Sequence, residues 1–252
     1  MNIIFDEAFY RVYDSDPAAA AGRMEPVIRE LRRHPHYRFI APAPAADEDL
    51  LRAHTLEHVQ SIRLSPGIYR MAGLSAGGAI EAAERAFDGE ASFGCIRPPG
   101  HHASSSSCWG FCFFNNVAVS LLRLRAEGKI DTAFVLDFDL HYGDGNVNIL
   151  GDKEGFTILN PDSRQEKDYL REIAAAFNKA GDYDIVAASA GFDEYVKDWG
   201  GKLSTSAYQE IGEMMKDFAE KHCGGRRYAL LEGGYHYADL GINIHAFCEG
   251  FR

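Results

Sequence analysis

The stretch AFVLDFDLHYGDG, residues 133–145, joins a continuous apolar run to a dense group of charged side chains. Its first part, Ala133–Leu140, predicts a strand, because a strand that is buried on both faces is apolar throughout instead of alternating in polarity. The charged part holds the carboxylates of Asp137, Asp139 and Asp144 and the imidazole of His141. Such a group is compatible with three interpretations: a calcium loop, a transition-metal site or a solvated turn.

Other apolar segments share the character of this run, and helical patterns separate them. The further predicted strands are Asn2–Phe5, Ala91–Arg97, Phe156–Asn160, Asp184–Ala190 and Arg227–Leu231. Helices are predicted at 25–33, 77–89 and 115–128, and over Asp168–Lys179 and Thr205–His222. This alternation is typical of an α/β fold with a mostly parallel central sheet. No composition shift divides the chain, so residues 1–252 are interpreted as a single domain.

The composition limits the classes of partner. The net charge of −11 disfavours direct binding to nucleic acid. No apolar run approaches the ~20 residues that a membrane span needs, and the first residues lack the basic region of a signal peptide. The five cysteines are an odd number without CxxC spacing, so we expect reduced thiols in a cytoplasmic protein.

Four polar segments follow predicted strands at the points where those strands end. They are RPPGHHA (97–103), DFDLHYGDG (137–145), SAGFDEY (189–195) and LEGGYHY (231–237). In open parallel sheets, ligands bind at the carboxyl ends of the strands. We therefore expect the four segments to converge on one site.

The acidic segment fits a transition metal better than calcium. A calcium loop of this type needs Gly at its sixth position and Glu at its twelfth, but Tyr142 and Asn148 stand there. In an extended strand, Asp139 and His141 point to the same side. Asp193 is the natural third ligand, and a set of two Asp and one His suits zinc or ferrous iron.

Two adjacent histidines and one tyrosine are the candidates for proton transfer. His101 and His102 stand in a Gly/Pro loop, where a structural role in the core is not the simple explanation. A catalytic histidine needs a carboxylate that fixes its tautomer, and Asp137 and Asp144 are the unassigned acids. Tyr235 follows two glycines, where a phenol is able to donate to a developing oxyanion.

These segments, together with GFCFFNN at 110–116, resemble the successive motifs of the histone deacetylase superfamily. The resemblance is to the class II enzymes and the bacterial acetylpolyamine amidohydrolases. AHTLEHVQSI, at 53–62, also resembles a family helix. The resemblance implies an arginase/deacetylase-like three-layer sandwich and zinc-dependent hydrolysis of an acetylated amine.

The resemblance also implies the roles of individual residues. Asp139, His141 and Asp193 would hold Zn2+, with Fe2+ as the alternative ion. Asp137 and the backbones of Asp139 and His141 would bind a structural K+ beneath it.

The catalytic roles follow from the same resemblance. His102 would be the general base, and His101 its electrostatic partner. Asp137 would pair with His101 and Asp144 with His102, while Tyr235 would polarise the acyl carbonyl.

The substrate tunnel shows both a resemblance and a departure. Gly110 and Phe111 resemble one tunnel wall of the family. The opposite wall is expected to differ, because a short polar segment, PDSRQEKDYL at 161–170, replaces an aromatic-rich loop. The pocket is then wider or shallower, or is completed by a neighbouring subunit of a homo-oligomer. Tyr142 is a further departure, at a position that is not a ligand in the family.

The leading hypothesis is a hydrolase that removes an acetyl or other acyl group from acyl-lysine or an acylpolyamine. A ureohydrolase of the same fold with two manganese ions is the first alternative, but it would show an Asp-x-His-x-Asp run. A non-catalytic acyl-binding module is the second alternative. The presence of both histidines and Tyr235 disfavours it.

Overall fold

Seven strands form one sheet in which every neighbouring pair runs parallel. The computed structural model describes residues 1–252. The strands are β1 (Asn2–Ile4), β2 (Arg38–Ile40), β3 (Ser92–Gly94), β4 (Ala133–Asp137), β5 (Phe156–Leu159), β6 (Ile185–Ala190) and β7 (Arg227–Leu231). Their order across the sheet is β2-β1-β3-β7-β6-β4-β5. The predicted parallel sheet is confirmed.

Helices cover the sheet in two packed groups, which confirms the three-layer α/β architecture. They are α1 (Met24–Leu31), α2 (Asp47–Ala53), α3 (Leu56–Arg63), α4 (Pro66–Phe87), α5 (Asn116–Ala126), α6 (Asp144–Leu150), α7 (Glu166–Lys179), α8 (Thr205–His222) and α9 (Tyr237–Phe251). In one group α4 packs on α5, and in the other α1 and α8 pack on α9. None of these helices has the length and apolar character that a membrane crossing requires.

The apolar runs of the sequence are buried on both faces of the sheet. Every residue of β4, β6 and β7 is buried. These strands belong to a hydrophobic core of 66 buried residues. Burial on both faces explains why the runs do not alternate in polarity.

The strand β4 ends earlier than predicted, and this changes how two of the predicted ligands meet. The expected strand Ala133–Leu140 stops at Asp137, so Asp139 and His141 lie in the following turn. The argument that they share one side of an extended strand is therefore wrong. Instead, Asp139 Oδ1 accepts a hydrogen bond of 2.9 Å from the His141 backbone N–H, and this local turn holds the two residues together.

Four of these strands and helices were absent from the sequence prediction: β2, α2, α6 and α9. The strand β2 is short and lies at the sheet edge, partly exposed, so it lacks an apolar signal. The helix α6 has seven residues, and they include the weak helix formers Gly and Asn. The helix α9 contains two glycines, and its stability comes from packing on α1 and α8 instead of from propensity.

Candidate active site

The four polar segments meet at the carboxyl edge of the sheet. The strands that precede them, β3, β7, β6 and β4, are consecutive neighbours in the sheet. A cavity of about 120 Å³ opens at this edge. Six of the predicted site residues line it: His101, His102, Gly110, Asp139, His141 and Tyr235.

Asp139, His141 and Asp193 form a compact group whose possible ligand atoms all lie within 4.8 Å of one another. His141 Nδ1 is 3.2 Å from Asp139 Oδ1 and 3.3 Å from Asp193 Oδ2. Asp193 Oδ1 accepts a hydrogen bond from the Leu140 backbone N–H. Asp193 Oδ2 is buried, and although His141 Nδ1 is nearby, no donor reaches this oxygen with hydrogen-bond geometry. A buried carboxylate oxygen without a partner is the feature that a bound cation would satisfy.

The two carboxylates of this group repel each other in the absence of a cation. Burial, and then the negative charge of Asp139, raise the pKa of Asp193 to about 7. Gly233 allows the carboxylates to approach, because an added Cβ there would lie 2.5 Å from Asp193 Oδ2. Its backbone N–H also donates a bond of 2.8 Å to Asp139 Oδ2. The residues present therefore fit a divalent metal ion.

His101 faces Asp137 in the interior of the protein. His101 Nδ1 lies 3.2 Å from Asp137 Oδ2, and neither side chain is appreciably exposed. Burial alone would lower the pKa of His101, but the charges of Asp139 and Asp137 outweigh it and raise that pKa well above its ordinary value. The two carboxylates therefore favour the protonated form of His101.

His102 faces Asp144 at the rim of the cavity, with Nδ1 2.7 Å from Asp144 Oδ1. Burial, and then the positive charge of His101, lower the pKa of His102 to about 4. This histidine is therefore neutral at pH 7 and able to accept a proton. The pKa values of the two adjacent imidazoles are thus shifted in opposite directions.

Tyr235 lies in a turn that a carboxylate holds. Asp198 Oδ2 accepts hydrogen bonds of 2.6 Å and 2.7 Å from the backbone N–H groups of Tyr235 and His236. The Tyr235 ring stacks on Trp199 with ring centroids 4.0 Å apart. Burial raises the pKa of the Tyr235 phenol, so it stays protonated and remains a hydrogen-bond donor.

Comparison with known proteins places these residues in a family. The model of the histone deacetylase domain matches residues 60–161 and 159–251. The chain belongs to the histone deacetylase family. The resemblance carried by the five sequence motifs is thus confirmed.

Several relatives of this family have curated names. A probable deacetylase of Archaeoglobus fulgidus is 31% identical, over 81% of this chain and 72% of its own length. The polyamine deacetylase HDAC10 of Danio rerio is 26% identical over 96% of this chain, which spans 46% of that longer protein. The HDA15 HD domain has the same fold, with a TM-score of 0.83 at 23% identity over 98% of this chain and 87% of its own.

The cavity walls differ from those expected from the family resemblance. Gly110 lines the cavity, whereas Phe111 is not among the lining residues and packs against Tyr13 and Phe113. Gly110 and Phe111 both have positive φ values, of 59° and 60°, and this turn directs the Phe111 ring away from the cavity. No residue of 161–170 lines the cavity, and the exposed indole of Trp199 does.

Sequence reasoning missed several residues that hold the site. Asn146 Nδ2 donates to Asp137 Oδ2 at 2.9 Å, and Glu232 Oε2 accepts from the backbone N–H groups of Gly100 and His101. Glu232 lies in the motif LEGGYHY, directly after the apolar strand β7. An acid at the end of an apolar run is a signal by which the sequence could have indicated this residue. Asn146 and Asp198 carry no such signal, because polar residues in turns are common.

Proposed function

We propose that this chain is a metal-dependent amidohydrolase that removes an acetyl or other short acyl group from an acylated primary amine. Acyl-lysine and acylated polyamines are the substrate classes. The names of two relatives, a probable deacetylase and a polyamine deacetylase, support deacylation, and the second supports polyamines as a substrate class. The structural support comes from one arrangement above all. The imidazole of His102, whose pKa is lowered to about 4, has its centroid 5.8 Å from that of His141, and His141 Nδ1 lies 3.3 Å from the buried Asp193 Oδ2.

The ion in this proposal is zinc or ferrous iron, held by Asp139, His141 and Asp193. When bound, such an ion would supply Lewis acidity for the hydrolysis of the amide. Two carboxylates and one imidazole leave further coordination positions open, as in catalytic sites.

Protein groups supply the proton transfers. His102 Nδ1 faces Asp144, so Nε2 of the neutral ring carries the lone pair that takes a proton from the attacking water. The same nitrogen returns this proton to the leaving amine when the C–N bond breaks. The water oxygen forms the new bond to the acyl carbon, and the products are a free amine and a carboxylic acid.

Two groups stabilise charge in this scheme. The Tyr235 phenol donates to the acyl oxygen as negative charge develops on it. His101, whose protonated form Asp137 favours, would place positive charge 4.0 Å from the His102 ring and disfavour the premature protonation of His102.

The proposal includes a potassium ion at the buried end of the site. Asp137 Oδ1 accepts only a long hydrogen bond of 3.3 Å, from the backbone N–H of Asp139, and so keeps a free lone pair. This oxygen and the backbone carbonyl oxygens of Asp139 and His141 would be the ligands of the monovalent cation.

Replacement of Tyr235 tests the proposed oxyanion donor. Tyr235→Phe should lower kcat roughly a hundredfold or more while leaving the bound metal unchanged, because only a donor to the transition state is lost. The measurement is steady-state hydrolysis together with elemental analysis of both proteins. Tyr183→Phe is the control, since that hydroxyl lies at the surface, where it bonds Thr157. A Tyr235→Phe enzyme with the wild-type rate would remove this role.

A panel of substrates tests the reaction itself. Acetyl-lysine peptides, acetylputrescine, acetylspermidine and longer acyl-lysines are assayed on one purified sample with its metal content measured. About one zinc or iron per chain is expected from a site of three ligands. Two manganese ions per chain with guanidine hydrolysis would instead identify the ureohydrolase, and metal-free binding without turnover would identify the acyl-binding module.

A further inference from the structure

Trp109 contacts both members of the His102 and Asp144 pair. Its indole ring lies over the His102 imidazole, with centroids 3.7 Å apart and planes inclined by 31°. Its Nε1 donates a hydrogen bond of 2.8 Å to Asp144 Oδ2. The other oxygen of this carboxylate is the one that holds His102 Nδ1. The three side chains therefore form a closed triangle.

The indole also helps to bury His102. The His102 side chain is 4% exposed, although that of Asp144 is 43% exposed. Gly110 closes part of the remaining surface, since an added Cβ there would lie 2.6 Å from His102 Cδ2. The imidazole is enclosed by the indole and the backbone, while its carboxylate partner stays in contact with water.

A half-exposed carboxylate needs a restraint if it is to orient a histidine. The indole N–H holds one oxygen of Asp144, which fixes the carboxylate plane so that the other oxygen faces His102. Burial raises the pKa of Asp144, but the hydrogen bonds from Trp109 and His102 outweigh it and lower that pKa. The stacked ring limits rotation of the imidazole, and proton transfer depends on that orientation.

We propose that Trp109 is a positioning residue that aligns Asp144 and His102 for proton transfer. The kinetic part of this inference rests on the proposed hydrolase function. Trp109 acts through its two neighbours and not on the reacting atoms, so its loss should appear in kcat with little change in KM. Trp199 offers a contrast, because its indole stacks on Tyr235 but its indole Nε1 donates no hydrogen bond to the protein.

Two substitutions separate the two contacts. Trp109→Phe keeps a ring over His102 but removes the N–H, and should lower kcat about fivefold, the usual effect of one hydrogen bond. Trp109→Ala removes both contacts and should lower kcat about thirtyfold. KM should stay within about twofold in both variants. In an Asp144→Asn background, Trp109→Phe should cost less than about twofold, because the two residues act as a unit.

The kinetic results have clear contrary outcomes. Values of kcat within about twofold of the wild type in both variants would overturn the inference. A loss confined to KM would also overturn it, because the indole would then serve substrate binding. Fully additive losses in the double variant would show that Trp109 does not act through Asp144.

A second measurement does not depend on turnover. The chain has two tryptophans, so Trp199→Phe leaves Trp109 as the only indole emitter. In that background Asp144→Asn should shift the emission of Trp109, whereas Asp152→Asn, at an exposed acid in the turn beyond the other end of α6, should not. An unchanged emission spectrum in Asp144→Asn would contradict the contact between Trp109 and Asp144 and overturn the inference. If the wild type hydrolyses no acylated amine, the proposed function fails, and this spectrum alone decides whether Trp109 holds Asp144.

Discussion

The pair of His101 with Asp137 and the pair of His102 with Asp144 lie side by side, with imidazole centroids 4.0 Å apart. In both pairs Nδ1 faces a carboxylate oxygen, at 3.2 Å and 2.7 Å. We call them the inner pair and the outer pair. The inner carboxylate is fully enclosed, whereas the outer one is half exposed. The pKa of the inner histidine is raised, and that of the outer histidine falls to about 4.

A chain of buried hydrogen bonds stands behind the inner pair. Asn146 donates to Asp137 at 2.9 Å, and Asn115 Nδ2 donates to Asn146 Oδ1 at the same distance. The backbone N–H of Asn115 donates to His54 Nε2. Two remote segments of the chain, around His54 and Asn115, are thus joined through Asn146 to one carboxylate, and such a network specifies a single geometry.

The outer pair has no such network behind it. Asp144 is the first residue of α6, and its only side-chain partners are His102 and Trp109. The difference teaches that two neighbouring histidines receive opposite pKa shifts from the groups that surround them. It also predicts that damage to the inner pair costs stability and activity together, whereas damage to the outer pair costs activity alone.

The largest expected effect is the loss of activity when the outer carboxylate is neutralised. Asp144→Asn should lower kcat about a hundredfold, because an amide no longer fixes the histidine tautomer that leaves Nε2 free. Thermal or urea unfolding should be unchanged, since Asp144 is half exposed. A variant that unfolds more readily than the wild type would break the distinction between the two pairs.

The next effect is the loss of stability when the inner network is cut. Asn146→Ala removes hydrogen bonds to Asp137, Ser189 and Asn115 and leaves buried groups without partners. The free energy of unfolding should fall by about 2 kcal/mol, and kcat should fall as well. Asn148→Ala on the same helix is the matched control, with an exposed hydrogen bond and an expected change of at most about 0.5 kcal/mol. Equal losses in the two variants would contradict a special role of the network.

The smallest effect concerns pH and the far end of that network. Burial, and then the charge of His58, lower the pKa of His54 to about 4 from the ordinary value of 6.5. The unfolded chain binds this proton first as pH falls, so the stability contribution is complete above pH 6.5 and is lost toward pH 4. Between about pH 7 and pH 5 the wild type should lose about 1–2 kcal/mol that His54→Asn does not lose. If the wild type and His54→Asn lost the same free energy of unfolding between the two pH values, titration of His54 would not contribute to stability.

The elements of the fold that could be predicted from the sequence were the buried ones. Strands that are enclosed on both faces, such as β4 and β6, were apparent as apolar runs because burial is recorded in residue type. The edge strand β2 and the helix α6 were not, because the first is partly exposed and the second contains weak helix formers. The end of β4 was misplaced by three residues, from Leu140 to Asp137, because Phe138 and Leu140 continue the apolar pattern into the turn.

The sequence by itself determined the kinds of group at the site and the strand ends at which they stand. It specified acids and imidazoles after apolar runs, and those alone indicate a metal site at the edge of a parallel sheet. The residues alone left open which carboxylate faces which histidine, and they gave no sign of Asn146 or of the contacts of Trp109.

The tertiary structure decided these points through distances between remote segments. The sheet order sets β3, β7, β6 and β4 next to one another, which brings four segments from distant parts of the chain to one cavity. Residue type records the local environment along the chain, but pairing depends on packing between elements that are far apart in sequence. The same packing encloses Asp137 and exposes Asp144, and so gives two adjacent histidines their opposite pKa shifts.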